Sequence, residues 1–167
     1  EWRTLTGRVA DLKSAYKQLA AHPAHAAASV VAVRDPSGAV GFFRALSLMF
    51  GTTAAVYGFL RFSRAIAFIS SKIFGIPVVE FFDDFTQVES DRLACSAQTT
   101  FEGFLGLLGW RIADTEAKRK PFAPSFVSLG VEVDLSRSLE EVIMLRNKPG
   151  RVDSICEVAE QLLSGIS

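Results

Sequence analysis

With 167 residues, 49% of them hydrophobic and 14 of them Phe, the chain can bury a sizeable core and is too apolar to be disordered. Its 18 basic and 18 acidic residues cancel, which counts against a free-standing nucleic-acid binder with a basic footprint. Ala45 to Leu60 is the most membrane-like stretch, but it falls short of the ~20 residues a bilayer crossing needs and Gly51, Thr52 and Thr53 interrupt it, so no membrane span is expected.

In chain order, Glu1-Trp2 carries no initiator Met and reads as the interior of a longer polyprotein, with no secretory signal visible. Thr6 to Leu12 (TGRVADL) is a strand candidate that delivers Asp11 at its end. The helix formers of KSAYKQLAA follow and stop at His22-Pro23. Ser29 to Val33 and Val40 to Leu46 flank Asp35-Pro36-Ser37-Gly38, where Pro presets φ and Gly supplies a positive one, so a hairpin is expected. Thr52 or Thr53 caps a helix reaching about Ser70, with Val56, Phe59, Leu60 and Ala67 inward and Arg61, Arg64 and Lys72 solvated. Gly75-Ile76-Pro77 ends it and launches Val78 to Val88, read as a short hairpin with Asp83 and Asp84 at its tip. Ser90 or Asp91 caps a second helix whose apolar face is Leu93, Ala97, Phe101, Phe104, Leu105 and Leu108, closed by Gly109.

Beyond it, Trp110 to Ala113 reads as a short strand and Glu116 to Pro121 (EAKRKP) as a basic loop. Phe126 to Leu135 alternates as a half-buried strand, Val142 to Arg146 can pair with it, and Arg151 to Leu163 is a final amphipathic helix. Cys95 and Cys156 lack metal-ligand spacing and are expected to be reduced and buried, as in an intracellular protein. The order of elements predicts an α+β fold, with helices on one face of an antiparallel sheet.

The Asp83-Asp84 step is where chemistry concentrates. Two carboxylates at ~4 Å in an effective dielectric of ~20 repel by about 4 kcal/mol before screening. A divalent cation bound through oxygen offsets that most cheaply, the plain alternative being a solvated acidic turn.

DLKSAY at Asp11 to Tyr16, the Phe50-Gly51 turn ahead of a helix, FFDD at Phe81 to Asp84 and SLG at Ser128 to Gly130 occur in a fixed order. On these motifs the chain resembles the reverse transcriptase domain of LTR-type and related retroelements, from about Arg8 to Val152. The resemblance implies a polymerase palm with part of the fingers over residues 1–152 and the start of a thumb over 153–167. It implies an RNA-directed DNA polymerase acting on an RNA or DNA template with primer and on dNTP. Asp11 and Asp83 then bind two Mg²⁺, and Asp84, second of the pair, shapes the metal site. Tyr16 lies under the incoming sugar and rejects a 2′-hydroxyl, while Phe50 and Gly51 form the turn of the nucleotide pocket. Lys118 sits near the leaving pyrophosphate as a general acid, although Lys118-Arg119-Lys120 reads equally well as a solvated basic loop. Ser128-Leu129-Gly130 resembles the hairpin that grips the primer end.

The chain departs from the family pattern at Met49, where a proline precedes Phe-Gly, at Ala55, and at Phe81, where a tyrosine precedes the Asp pair. None of these removes a charged group. The basic finger residues that hold the triphosphate in this family fall before Glu1. The other readings are an inactive retroelement-derived fragment or binding module, a metal-dependent phosphohydrolase using the same Asp trio, and a membrane-associated helical protein.

Overall fold

The computed structural model describes residues 3–115 and 118–165; Glu1-Trp2, Glu116-Ala117 of the basic loop and the final two residues of the expected thumb segment lie outside the described residues. Its elements are β1 (Leu5–Asp11), β2 (Val30–Arg34), β3 (Val40–Arg44), α1 (Thr53–Lys72), β4 (Val78–Phe81), β5 (Asp84–Ser90), α2 (Asp91–Leu107), β6 (Ser125–Ser128), β7 (Val131–Asp134), β8 (Met144–Asn147) and α3 (Arg151–Ser164). The fold is α+β, with every paired strand antiparallel among the described residues.

Among the described residues three sheets form, in the orders β1-β5-β4, β2-β3 and β6-β7-β8. The first is the organising one. Alternate residues of a strand point to opposite faces, so Arg8, Ala10, Phe85 and Gln87 share one face, and Gly7, Val9, Asp11, Asp84 and Thr86 share the other. The first face meets the helices. Phe85 and Phe101 are fully buried with ring centroids 5.5 Å apart, and Phe59, Ile66, Ala67, Ala97 and Leu105 complete that core. Each fully buried aliphatic or Phe side chain there contributes on the order of 2 kcal/mol of transfer free energy.

The opposite face receives the β6–β7 hairpin. Gly7 and Ala123 exchange backbone hydrogen bonds of 2.9 and 3.0 Å, and the Phe126 ring lies over Gly7. A Cβ at Gly7 would sit 2.1 Å from Phe126 Cε1, so only glycine permits this approach. The Thr86 and Ser128 hydroxyls meet at 2.7 Å and pin the end of β6 to β5.

Several sequence expectations change. Phe126 to Leu135 is a hairpin and not one strand, because Leu129 (φ 51°) and Gly130 (φ 79°) form a two-residue turn with positive φ at both positions, the geometry that matches strand twist. KSAYKQLAA yields only a 3-10 turn at Ala15–Gln18: Ser14 is left-handed (φ 52°) and Leu19 is extended, its carbonyl accepting the Leu48 N–H. Trp110 to Ala113 makes one bridge, Ile112 to Leu12, since Gly109 (φ 83°) turns the chain only briefly alongside β1. Helix α2 buries Ala94, Ala97, Phe101 and Leu105, leaving Leu93 and Leu108 about half exposed. Cys95, beside Ala94 on the outer side, is exposed, and so is Cys156 on α3; neither is buried as expected. No helix among the described residues is long and apolar enough to cross a membrane.

Candidate carboxylate site at the edge of the first sheet

Asp11 ends β1 and Asp84 begins β5, and the register sets them directly opposite each other. Asp83 precedes Asp84 in the β4–β5 turn, which consists of Phe82 and Asp83 alone. The tip expected to carry both aspartates therefore carries one: Asp84 already pairs with Phe81 as a strand residue. Phe82 adopts φ 54°, an unusual conformation for a bulky side chain that stores roughly 1–3 kcal/mol. The buried Ser63 hydroxyl of α1 donates to the Phe82 carbonyl and holds the turn against the helix. The sequence does not mark Ser63, because a serine on an apolar helix face carries no signal of its partner.

Three partly buried carboxylates are thus gathered on the face turned away from the helices. Burial raises the Asp83 pKa above the ordinary carboxylate range, with Asp11 repulsion adding to it and its own backbone N–H and Lys118 opposing. Asp84 is raised for the same leading reason, then by repulsion from Asp83 and Asp11. Directly opposed like charges destabilise a strand pair, so this sheet edge carries a folding cost.

Lys118 partly relieves it. Its Nζ donates to Asp11 Oδ2, and that bond, followed by attraction to all three carboxylates, raises the Lys118 pKa. The lysine is thus a partner of Asp11 and not merely a solvated loop residue.

Two open cavities flank the carboxylates and share Asp84 and Leu129. One, of about 450 Å³, is bordered by Asp11, Lys118, Lys120 and Lys148. The other, of about 360 Å³, is bordered by Tyr16, Phe50, Gly51 and Asp83. Tyr16, only 3% exposed, forms its floor: it stacks on Phe59 at 4.6 Å and meets Phe50 at 4.5 Å. Burial and then the nearby Asp83 raise its phenol pKa. The ring is therefore both core packing and cavity wall. Phe50 is 74% exposed, and Gly51 takes φ 87° with nothing near its missing Cβ, as a turn into α1 requires.

The segment after α2 is laced to β1. Lys13 N–H donates to Arg111 O and Ala113 N–H to Asp11 O, each at 2.8 Å. The Gln18 amide bridges the same two segments, donating to Lys13 O and Arg111 O and accepting from Arg111 N–H. Gln18 likewise gives no signal in the sequence, since Arg111, its partner across the two segments, lies 93 residues away.

Among the described residues, no group of three or more His, Cys, Asp or Glu side chains forms a ready ligand cluster. In donor chemistry Asp11, Asp83 and Asp84 nonetheless fit a hard divalent cation: they are oxygen ligands whose mutual repulsion such an ion relieves, and Lys118, which hydrogen-bonds Asp11, relieves it only in part. In comparisons with known proteins, the chain matches no family model and no curated protein.

Proposed function

We propose that this chain is the palm, with part of the fingers, of an RNA-directed DNA polymerase that adds deoxynucleotides to a primer 3′-hydroxyl. One observation carries the reading: Asp11 meets the distant Asp83-Asp84 pair at one end of an antiparallel sheet, next to a lysine and between two cavities. That arrangement suits phosphoryl transfer, which needs positioning and charge stabilisation more than covalent help.

Asp11 and Asp83, with Asp84 beside them, would hold two Mg²⁺, and the ions would supply Lewis-acid activation and charge neutralisation there. In the reaction the 3′-hydroxyl gives up its proton to solvent and its oxygen bonds to the α-phosphorus as the bond to the bridging oxygen of pyrophosphate breaks. Lys118, protonated and beside Asp11, gives its proton to the departing pyrophosphate. Tyr16 and Phe50 wall the cavity that receives base and sugar, where a ring excludes a 2′-hydroxyl by overlap. Leu129 at the β6–β7 turn borders both cavities, and on this reading that turn takes the primer end.

The test is primer extension on an RNA template by the full polymerase chain, with Asp83→Asn beside wild type. Wild type extends in Mg²⁺, and the variant loses roughly 10²–10³-fold or more, as removal of a charge-stabilising group does. Nucleotide hydrolysis without primer growth would instead identify a phosphohydrolase, and extension by Asp83→Asn at the wild-type rate would remove Asp83 from the site.

A further inference from the structure

We infer that Arg119, through its ion pair with Glu102, is a positioning residue that presents Lys118 to Asp11. The inference concerns the site proposed above, and its consequence for rate rests on that reading. Lys118 extends from an exposed loop, its side chain 57% accessible, and an isolated pair of that kind contributes only about 0–1 kcal/mol because ordering two long side chains costs entropy. Its loop is therefore held elsewhere. The N–H groups of Lys118 and Arg119 both donate to Thr115 O at 2.9 Å. Arg119 Nη2 then donates to Glu102 Oε2 at 2.8 Å and ties Lys118-Arg119 to α2.

Glu102 is itself fixed. Its other oxygen accepts from Arg8 Nη1 at 2.7 Å and from Gln98 Nε2 at 2.9 Å. Arg8 is 2% exposed, donates to Gln87 Oε1 at 2.7 Å, and lies on β1 three residues before Asp11. One carboxylate thus joins the strand that carries Asp11 to the loop that carries Lys118. The guanidinium, with donors in a rigid planar array, suits that link better than an ammonium on a flexible stem.

Two measurements test this. The first does not depend on catalysis: acylation of Lys118 by an N-hydroxysuccinimide ester, read by mass spectrometry in wild type, Arg119→Ala and Asp11→Asn. Arg119→Ala is expected to raise Lys118 labelling several-fold, towards the Asp11→Asn value, with other lysines unchanged. Unchanged labelling of Lys118 overturns the inference whatever the enzyme does. Raised labelling in a chain that extends no primer supports the positioning role and overturns the polymerase reading alone.

The second is single-nucleotide extension by wild type, Lys118→Ala, Arg119→Ala and the double variant. A general acid contributes typically 10²–10⁴-fold, so its misplacement should cost roughly 10-fold in kcat with KM for dNTP unchanged. The double variant should be no slower than Lys118→Ala, and Arg119→Lys should recover part of the rate. Equal slowing by Arg119→Ala with and without Lys118 would show that it acts by another route and overturn the inference.

Discussion

Helices α2 and α3 are both amphipathic, yet they end up in opposite situations. α2 buries Ala94, Ala97, Phe101 and Leu105 against the first sheet. None of α3 is buried, and Val152, Ile155, Val158, Leu162 and Leu163 stand 55–71% exposed. The difference lies in what precedes each helix. Ser90 ends β5 and α2 starts at the next residue, so the helix folds directly back over Phe85. α3 follows β8, at the edge of the third sheet, with Gly150 (φ 75°) turning the chain away. The β2–β3 hairpin resembles α3: its apolar residues, Phe42 and Phe43 among them, are exposed on both faces. An apolar stripe shows that an element has a face to cover; only topology decides whether this chain covers it.

The comparison breaks most visibly at the core. Phe101→Ala should cost about 3–5 kcal/mol in urea unfolding, because the ring is fully enclosed against Phe85. A cost below 1 kcal/mol would mean that α2 is no better packed than α3. Glu102→Ala should cost about 3 kcal/mol, since it leaves the buried Arg8 guanidinium without its counter-charge. Phe82→Gly should change stability by no more than about 1 kcal/mol, because relief of the positive φ is offset by loss of the half-buried ring and by glycine's freedom in the unfolded chain, while the Ser63 bond goes to backbone and survives. At the small end, Leu162→Ala should change stability by no more than about 0.5 kcal/mol, and a cost above 2 kcal/mol would place α3 in a packed interface.

The strands of the first sheet and both core helices were legible because each element's period agreed with its burial, as at Phe59 and Phe101. At Ser128-Leu129-Gly130 the resemblance implies the hairpin that forms, whereas alternation alone reads one strand, because two positive-φ residues interrupt the chain without interrupting the pattern. Tyr16 shows a different limit. Its spacing from Asp11 is plain in the sequence, but its stacking on Phe59, which makes it core as well as cavity wall, exists only in three dimensions. The meeting of Asp11 with Asp84 likewise rests on strand register, and the pairings of Ser63, Gln18 and Glu102 on contacts that no local pattern announces.

On the proposed reading, Asp11, Asp83 and Asp84 are held together at a cost to the fold that a cation relieves. Because the folded pKa values of Asp83 and Asp84 lie above their unfolded ones, these two groups favour folding below the ordinary carboxylate range, and the advantage is lost as pH rises through the raised values. Thermal unfolding of wild type and Asp83→Asn, from pH 3.5 to 7 with and without Mg²⁺, reads this directly. Without metal, Asp83→Asn should melt higher at pH 7 by roughly 2–4 °C, for a screened repulsion of about 1 kcal/mol, and the gap should close towards pH 3.5. Mg²⁺ should raise the melting temperature of wild type and leave Asp83→Asn nearly unmoved. A variant that melts no higher at pH 7, or that gains as much from Mg²⁺ as wild type does, would contradict the account.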